Sequence, residues 1–291
     1  MPRVHTIHFR VRHYECDPYG HVNNATYLRY MEEAAFRASM AVGYGVDTYK
    51  GMNRRWWIHE TEVEYLRPLR YGDTAEVRTW VAHARRVRCR RVYEVRRGST
   101  GELAARAWSD WVFLEGTTGR PTAIPEELWR AFGLDDTAKD VPWDRFPEAP
   151  PPPPGVFRTR RRVEWRDLDT EGHVNNANYL SYLEDCGVQV ATAFGWPVRR
   201  MSEAGFAVIA RRLRIEYRLP AVLDDELEIA TWLSNVRRAT AVRHYVIHRV
   251  HDGALIARAR TLWAWVNLQT GRPIRIPDAF HTDFASNIAS A

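Results

Sequence analysis

The alternation of apolar and polar positions predicts that the chain opens with a strand. Ile7, Phe9 and Val11 alternate with polar residues, which is the period-two pattern of a strand with one buried face. Residues 24–42 lack proline, are rich in Ala, Met and Glu, and are followed by Gly43, so they predict a helix with a glycine stop. Four strand-like runs separated by turn signals follow near 57–67, 73–84, 87–97 and 102–114. Strands joined by short turns after a single helix indicate an α+β unit with an antiparallel sheet.

The second half of the chain repeats this order. DPYGHVNNATYLRY at residues 17–30 and DTEGHVNNANYLSY at residues 169–182 share ten of fourteen positions at an offset of 152 residues. A second helix is predicted near residues 176–194, after an alternating segment that contains Val163 and Trp165. An internal repeat of this size indicates that one unit has been duplicated.

A proline run separates the two copies. Five consecutive prolines, at residues 150–154, cannot form a helix or a central strand and should act as a stiff spacer. We therefore predict a first domain at residues 1–135, a Pro-rich linker at 136–155 and a second domain at 156–291. Each predicted sheet has one helix to cover it, which favours a sheet curled around that helix. Edge-to-edge pairing of the two sheets would remove two exposed edges.

Composition narrows the class of protein. The 291 residues are 45% hydrophobic and 27% charged, as expected for a soluble protein of two domains. No apolar run reaches 18 residues, so no membrane span is predicted, and the N-terminus lacks the apolar core of a secretory signal. The 3 cysteines are too few for a disulfide framework or a zinc cluster. A cytoplasmic protein without a bound metal is the prediction.

The charge is positive but dispersed. The net charge is +6, and 40 of the 42 basic residues are arginines, since only Lys50 and Lys139 are lysines. Arginine matches phosphate geometry, as in a nucleotide-bearing ligand. The arginines are spread along the chain, which favours a solvated basic surface and argues against a nucleic-acid partner.

The repeated motif resembles that of a known family. Asp-x-x-Gly-His-Val-Asn-Asn-Ala-x-Tyr, followed by a helix and by strands that end in Thr-Gly-Arg-Pro, resembles the 4-hydroxybenzoyl-CoA thioesterase-like branch of the hotdog superfamily. The fused double copy also resembles the acyl-ACP thioesterases, which carry two hotdog units in one chain. The Asn-Pro-x-x-His pattern of hotdog dehydratases is absent from the sequence. The resemblance implies tandem hotdog domains, each a curled antiparallel sheet around a central helix, paired as an intramolecular pseudo-dimer.

The motif places an aspartate near the start of a helix. Thioester hydrolysis needs a nucleophile or an activated water and a donor for the developing oxyanion, and a helix N-terminus supplies N–H donors. Asp17 precedes the predicted helix start by seven residues, and Gly20 lets the loop fold back towards Asn24. Asp169 and Asn176 repeat this spacing. The resemblance implies that each aspartate acts as nucleophile or general base and that the N–H at each of the two asparagines binds the thioester oxygen.

The remaining motif residues have both structural and functional readings. An aspartate in a turn before a helix is often a turn former. Asn23 and Asn175 stand where N-caps belong, and Asn is a preferred cap. His21 and His173 could orient water, hold the aspartate or bond a strand carbonyl, so the sequence leaves a catalytic role and a structural role open for both.

Two further groups are candidates. The resemblance to acyl-ACP thioesterases, where a glutamate near this position belongs to the catalytic set, makes Glu33 and its counterpart Asp185 supporting candidates. Four arginines at one repeat position, in a predicted hairpin, are candidates for binding coenzyme A or are exposed turn residues. They are Arg85, Arg86, Arg237 and Arg238.

The predicted activity is hydrolysis of acyl thioesters to free acid and thiol, in fatty acid metabolism. The substrate is a small-molecule acyl-CoA or an acylated acyl carrier protein, and no cofactor is expected beyond the coenzyme A of the substrate. Trp56 and Trp57 correspond to Val208 and Ile209 in the second copy, which suggests that the two apolar pockets differ. A non-catalytic acyl-thioester binder or sensor and a hotdog hydratase or dehydratase are the alternatives. The sequence leaves open the acyl group and assembly into a homo-oligomer.

Overall fold

In a computed structural model, which describes residues 2–134 and 143–290, the chain divides into two compact units, residues 1–145 and 146–291. Residues 135–142, which include the start of the predicted linker, lie outside the described residues. Residues 150–154, the proline run, contain neither helix nor strand.

The first unit is a five-stranded antiparallel sheet with one long helix. Its elements, in chain order, are β1 (His5–Arg10), α1 (Asn24–Met40), α2 (Val46–Gly51), β2 (Arg54–Tyr65), β3 (Thr74–Arg85), β4 (Arg88–Arg97), β5 (Leu103–Glu115) and α3 (Glu126–Ala131). The strand order is β1-β3-β4-β5-β2, and every pairing is antiparallel. The α+β prediction is therefore confirmed.

The second unit repeats the first. Its elements are β6 (Phe157–Arg162), α4 (Asn176–Ala193), α5 (Val198–Glu203), β7 (Phe206–Tyr217), β8 (Glu226–Ser234), β9 (Thr240–Arg249), β10 (Leu255–Asn267) and α6 (Asp278–Asp283). The strand order is β6-β8-β9-β10-β7, again antiparallel throughout. The bounds of β6, β7, β9 and β10 equal those of β1, β2, β4 and β5 shifted by 152 residues.

The long helix packs one face against the sheet of its own unit. Helix α1 contacts β1, β3 and β4, and α4 contacts β8. The apolar residues that α1 buries recur every three to four positions, as expected for a helix with one core-facing stripe. They include Ala25, Leu28, Met31, Ala35 and Ala38. No helix within the described residues combines the length and the apolar character that a membrane span requires.

Both long helices begin at an asparagine cap, as the sequence predicts. The Asn23 side chain accepts a hydrogen bond from the N–H of Ala25 at 2.9 Å, and Asn175 accepts one from Ala177 at 2.9 Å. These bonds satisfy N–H groups that have no partner within the helix. The predicted helices end slightly late, because α1 stops at Met40 and α4 at Ala193.

Removing a cap should destabilise its unit. We expect Asn23→Ala to lower the free energy of unfolding by about 1 kcal/mol, because an amide N–H of the first turn loses its acceptor. Asn23→Asp keeps a side-chain oxygen at the cap and should restore most of the loss. Urea denaturation of the three proteins measures the difference, and equal stability of the alanine and aspartate variants would contradict the capping role.

His244 should make the second unit sensitive to acid. Its ring stacks on Trp232 with centroids 5.7 Å apart, and Nε2 lies 2.8 Å from the Ser234 hydroxyl. Burial, followed by the charges of Arg260 and Arg243, lowers the pKa of His244 from 6.5 to about 4. Between these two pH values His244 is protonated in the unfolded chain but neutral in the native state. The free energy of unfolding that is present above pH 6.5 is therefore lost as the pH falls towards 4.

The test uses the duplication as its control. The first unit carries Val92 at the position of His244, so we expect His244→Val to fold and to flatten the dependence of the unfolding free energy on pH between 6.5 and 4. Denaturation curves across this range check the slope. An unchanged slope in the variant would show that His244 does not titrate as proposed.

Candidate active site

The motif loop of the first unit is a short hairpin that returns to the start of α1. Cys16 and Val22 face each other in an antiparallel bridge. The N–H of Asn23 donates to the carbonyl of Glu15 at 2.9 Å. The chain therefore closes on itself immediately before Asn24, the first residue of α1.

The Asp17 carboxylate is held inside this hairpin by main-chain donors. Its Oδ1 accepts hydrogen bonds from the N–H of Tyr19 at 2.9 Å and of His21 at 3.0 Å. Gly20 has φ +74°, a conformation that glycine adopts without strain. Among the described residues, the hydrogen bonds to the half-buried carboxylate all reach Oδ1. Asp17 is thus a turn former, and the turn leaves its other oxygen, Oδ2, unused.

The second unit builds the same hairpin from its own residues. Asp169 Oδ1 accepts from the N–H of Glu171 at 2.9 Å and of His173 at 3.3 Å. The N–H of Asn175 donates to the carbonyl of Asp167 at 2.9 Å. The repeat in sequence is therefore also a repeat in hydrogen bonding.

Tyrosine hydroxyls hold the first turn of each long helix. The Tyr65 hydroxyl donates to the carbonyl of Asn24 at 3.3 Å, and the Tyr217 hydroxyl donates to the carbonyl of Asn176 at 3.1 Å. The asparagines occupy the positive end of the helix dipole, which favours negative charge. Each unit thus fixes a carboxylate hairpin and a helix N-terminus as one connected segment.

The two motif histidines lie in different surroundings. His21 is half-buried, and burial together with the Arg70 charge lowers its pKa, although Asp17 opposes the shift. The main chain of His21 forms an isolated antiparallel β-bridge with Arg70, whereas that of His173 forms one with Val222. The His21 ring is therefore neutral near neutral pH and can either accept or donate a hydrogen bond.

An acidic residue before the motif anchors each loop, a role that sequence reasoning did not assign. Glu15 accepts the Tyr30 hydroxyl at 2.6 Å and the N–H of Arg12 at 2.7 Å. Asp167 is buried and accepts the N–H of Glu164 at 2.9 Å. The sequence could have indicated this role, because both copies carry an acidic residue at this position.

The supporting carboxylates are not brought to the hairpin. Glu33 accepts from Arg37 at 2.6 Å, and Asp185 accepts from Arg161 at 3.1 Å. The carboxylate side chains are 45% and 64% exposed, so both are surface ion pairs. Each follows the first helical residue by nine positions, which is about 14 Å along the axis.

The four candidate arginines lie in exposed connections. Arg85 ends β3 and Arg86 forms the turn to β4 with φ +32°, while Arg237 and Arg238 lie between β8 and β9. The carbonyls of Arg86 and Arg238 each accept an N–H at 2.8 Å from the segment after the last strand of their sheet. The side chains are thus available to solvent at the rim of each unit.

The aromatic clusters of the two units differ. In the first unit Trp56 packs on Phe113, with ring centroids 4.7 Å apart, and on Tyr49 at 6.4 Å. In the second unit Val208 stands at the position of this tryptophan and packs against a buried apolar cluster. The aromatic members of that cluster are Trp196, Phe206, Trp265, Phe280 and Phe284.

Curated relatives are about one quarter identical to this chain over the aligned residues. The chloroplastic palmitoyl-acyl carrier protein thioesterases of Arabidopsis thaliana and Gossypium hirsutum are 26% identical over 271 and 293 residues, covering 88% and 89% of this chain. The chain spans only 63% of the length of either relative.

Solved structures show the same fold. A protein assigned as an oleoyl thioesterase from Lactobacillus plantarum superposes with a TM-score of 0.79 at 17% identity, over 90% of this chain and 96% of that one. The 12:0-ACP thioesterase from Umbellularia californica superposes with a TM-score of 0.68 at 22% identity, over 89% and 93% of the two chains. These likenesses confirm the tandem hotdog prediction.

A family comparison covers both copies. The sequence model of the thioesterase-like superfamily matches residues 11–132 and again residues 163–284. Each match spans the motif hairpin, the long helix and the strands that follow it. With most of its length matched in two successive repeats, the chain belongs to the thioesterase-like superfamily.

Proposed function

We propose that the protein hydrolyses acyl thioesters to a free acid and a thiol. The observation that carries the proposal is the duplicated hairpin, in which one oxygen of an aspartate is fixed by main-chain donors beside the first turn of a helix. The names of the curated relatives support acyl carrier protein as the acyl carrier, and coenzyme A is the alternative. A cytoplasmic role in fatty acid metabolism belongs to the same proposal.

The proposed chemistry uses the two ends of the hairpin. The thioester oxygen approaches the N–H of Asn24, or of Asn176 in the second unit, where the helix dipole favours the developing oxyanion. Asp17 or Asp169 acts as a general base, removing a proton from water so that hydroxide attacks the carbonyl carbon. Collapse of the tetrahedral adduct breaks the C–S bond, and the thiolate leaves with the proton that the aspartate gained.

A nucleophilic course uses the same atoms. The carboxylate attacks the carbonyl and expels the thiolate, giving a mixed anhydride that water then hydrolyses. In either course the proposed role of His21 and His173 is to orient water, and their main-chain N–H groups donate to the aspartate of their own loop. No cofactor takes part in either course.

Exposed arginines suit either carrier. The prosthetic group of acyl carrier protein and coenzyme A both present phosphate groups, which guanidinium groups bind bidentately. Arg85 and Arg86 in the first unit, and Arg237 and Arg238 in the second, are solvent-exposed and repeat at the same position. They remain the proposed contacts for those phosphates.

Loss of both aspartates should stop turnover without unfolding the protein. We expect Asp17→Asn combined with Asp169→Asn to lower kcat by about a hundredfold or more, because asparagine cannot accept the proton or attack the carbonyl. Asparagine retains Oδ1, so the turn should survive, which circular dichroism can check. Thiol release from acyl-CoAs and from acylated carrier protein measures the rate.

The control removes two carboxylates from the long helices instead of the hairpins. Glu33→Gln combined with Asp185→Asn breaks the exposed ion pairs, and we expect it to hydrolyse thioesters at the parent rate. A double aspartate variant that works as fast as the parent would refute the assignment. Tight binding of acyl thioesters by the parent protein without thiol release would instead favour a binding protein.

The single variants report on the number of working sites. Because the hairpin bonds are the same in both units, we expect Asp17→Asn and Asp169→Asn each to retain about half of the parent kcat under saturating substrate. The measurement is the same thiol-release assay, with protein concentration fixed by absorbance. One single variant with no activity would show that only its hairpin is catalytic.

A further inference from the structure

The interior of the second unit contains polar groups without a protein partner. The Tyr245 hydroxyl, the Thr261 hydroxyl and the Trp263 indole N–H are buried and form no hydrogen bond with any described residue. Burial raises the pKa of Tyr245, while the Arg243 charge and the neighbouring Trp263 indole N–H oppose the shift. Buried polar groups in folded proteins are nearly always bonded, so three on one strand pair need an explanation.

These groups lie under the middle of α4. A Cβ atom added to Gly187 would meet the Tyr245 hydroxyl at 3.5 Å, which places that hydroxyl against the helix. Tyr245 is on β9, and Thr261 and Trp263 are on its neighbour β10. Gly187 follows Asn176 by eleven residues, so the group sits about 16 Å along the helix from the proposed thioester site.

A buried guanidinium stands beside them. Arg243 is the cross-strand neighbour of Thr261 and is only 6% exposed. Its Nη1 donates to the Thr231 hydroxyl at 3.4 Å and to the Asn287 amide oxygen at 3.3 Å. In the described part of the chain no carboxylate lies within ion-pair distance of Arg243. The region is therefore rich in hydrogen-bond donors.

The interior of the second unit is apolar beyond these polar side chains. Ala241, two residues before Arg243 on β9, lines a small cavity towards the far end of α4. Its other walls are mostly apolar residues, among them Leu233, Trp265 and Phe280, with His281 as the one polar residue among the described residues of the lining. From the helix N-terminus outwards, the second unit thus presents the motif hairpin, then the polar group, then an apolar end.

In the first unit the hydroxyl at the corresponding position has a hydrogen-bond partner. Ser109, the counterpart of Thr261, shares a hydrogen bond of 2.9 Å with Thr61 on the adjacent strand. The residue opposite Thr261 is Leu213, which offers no polar atom. Because Leu213 stands at the position of Thr61, the Thr261 hydroxyl of the second unit has no protein partner on that strand.

We propose that Tyr245, Thr261 and Trp263 form a subsite for an oxygen substituent, a hydroxyl in the middle of a long acyl chain, in the second unit. The proposal rests on the proposed thioester hydrolysis, and it names the class of substrate. The Trp263 N–H and the Tyr245 hydroxyl would donate to the substrate oxygen, and Thr261 would accept its proton. The hydrocarbon tail beyond the hydroxyl would enter the apolar end.

A saturated chain would bury the same protein groups without satisfying them. Leaving a buried donor unpaired costs binding, and one such group corresponds to roughly a tenfold change in kcat/KM. We therefore expect kcat/KM for a mid-chain hydroxyoctadecanoyl-CoA to exceed that for octadecanoyl-CoA by about tenfold or more. An acyl-CoA with its hydroxyl next to the thioester should gain no such advantage.

Three variants test the residues. Tyr245→Phe should bring the ratio of the two kcat/KM values towards one, because only the hydroxyl is removed. Leu213→Thr should lower the ratio as well, since it gives Thr261 the strand partner that Ser109 has in the first unit. Tyr93→Phe, the counterpart change in the first unit, should leave the ratio as it is in the parent.

Binding of free acids separates this inference from the proposed activity. Calorimetric titration with a mid-chain hydroxyoctadecanoate should give a Kd about tenfold lower than with octadecanoate, and Tyr245→Phe should abolish the difference. Equal kcat/KM for the two acyl-CoAs and equal Kd for the two acids would overturn the subsite while leaving hydrolysis intact. Absence of any hydrolysis, with preferential binding of the hydroxy acid, would overturn the activity and keep the subsite.

Discussion

The arrangement in each unit depends on one hydrogen bond, which joins the residue before the long helix to the acidic residue two positions before the motif aspartate. In the first unit the N–H of Asn23 meets the carbonyl of Glu15, and in the second the N–H of Asn175 meets that of Asp167. This bond makes a hairpin of the intervening loop, so the carboxylate of the motif cannot move independently of the helix start. The geometry of the motif is fixed by main-chain bonds within a single segment, so a copy of that segment carries the geometry with it.

The duplication also shows which parts of the unit are free to change. The hairpin bonds, the asparagine caps and the tyrosine bonds to the first helical carbonyl recur in both copies. The interior below the helix does not recur, since Leu213 replaces Thr61 and Val208 replaces Trp56. Core packing tolerates substitutions that keep its volume, whereas the hairpin depends on individual hydrogen bonds. Divergence between the copies is therefore expected in the interior below the helix before it is expected in the motif.

Periodicity and capping rules were sufficient for the long elements. The predicted strand near 73–84 is β3, the predicted helix start is the observed one, and both asparagine caps are in place, because these features depend on neighbours in sequence. The six-residue helices α2, α3, α5 and α6 were not predicted, since so short a segment shows little periodicity. The boundaries 1–135, 136–155 and 156–291 remain predictions.

The features of the site that could not be predicted from the sequence depend on tertiary contacts. The family resemblance made Glu33 a supporting candidate, but in the structure the Tyr30 hydroxyl donates to Glu15, and Glu33 pairs with Arg37 at the surface. The anchoring role of Glu15 requires the fold to bring residues fifteen positions apart together. The unpartnered hydroxyl of Thr261 likewise depends on cross-strand register, which a single copy of the sequence does not disclose.

Asn287 connects the polar interior of the second unit to the chain that enters it. This fully buried amide accepts from Arg243, and its NH₂ group donates to the carbonyls of Gly155 at 2.9 Å and of Thr231 at 3.1 Å. Gly155 follows the proline run directly, so the run is anchored to β8 through one side chain. A guanidinium buried without a carboxylate is costly, and the bonds that hold it must be made by neutral acceptors with fixed positions. Asn287 is such an acceptor, and its other bonds fix its orientation. The position of Arg243 beside Thr261 therefore depends on the attachment of the chain that precedes the second sheet.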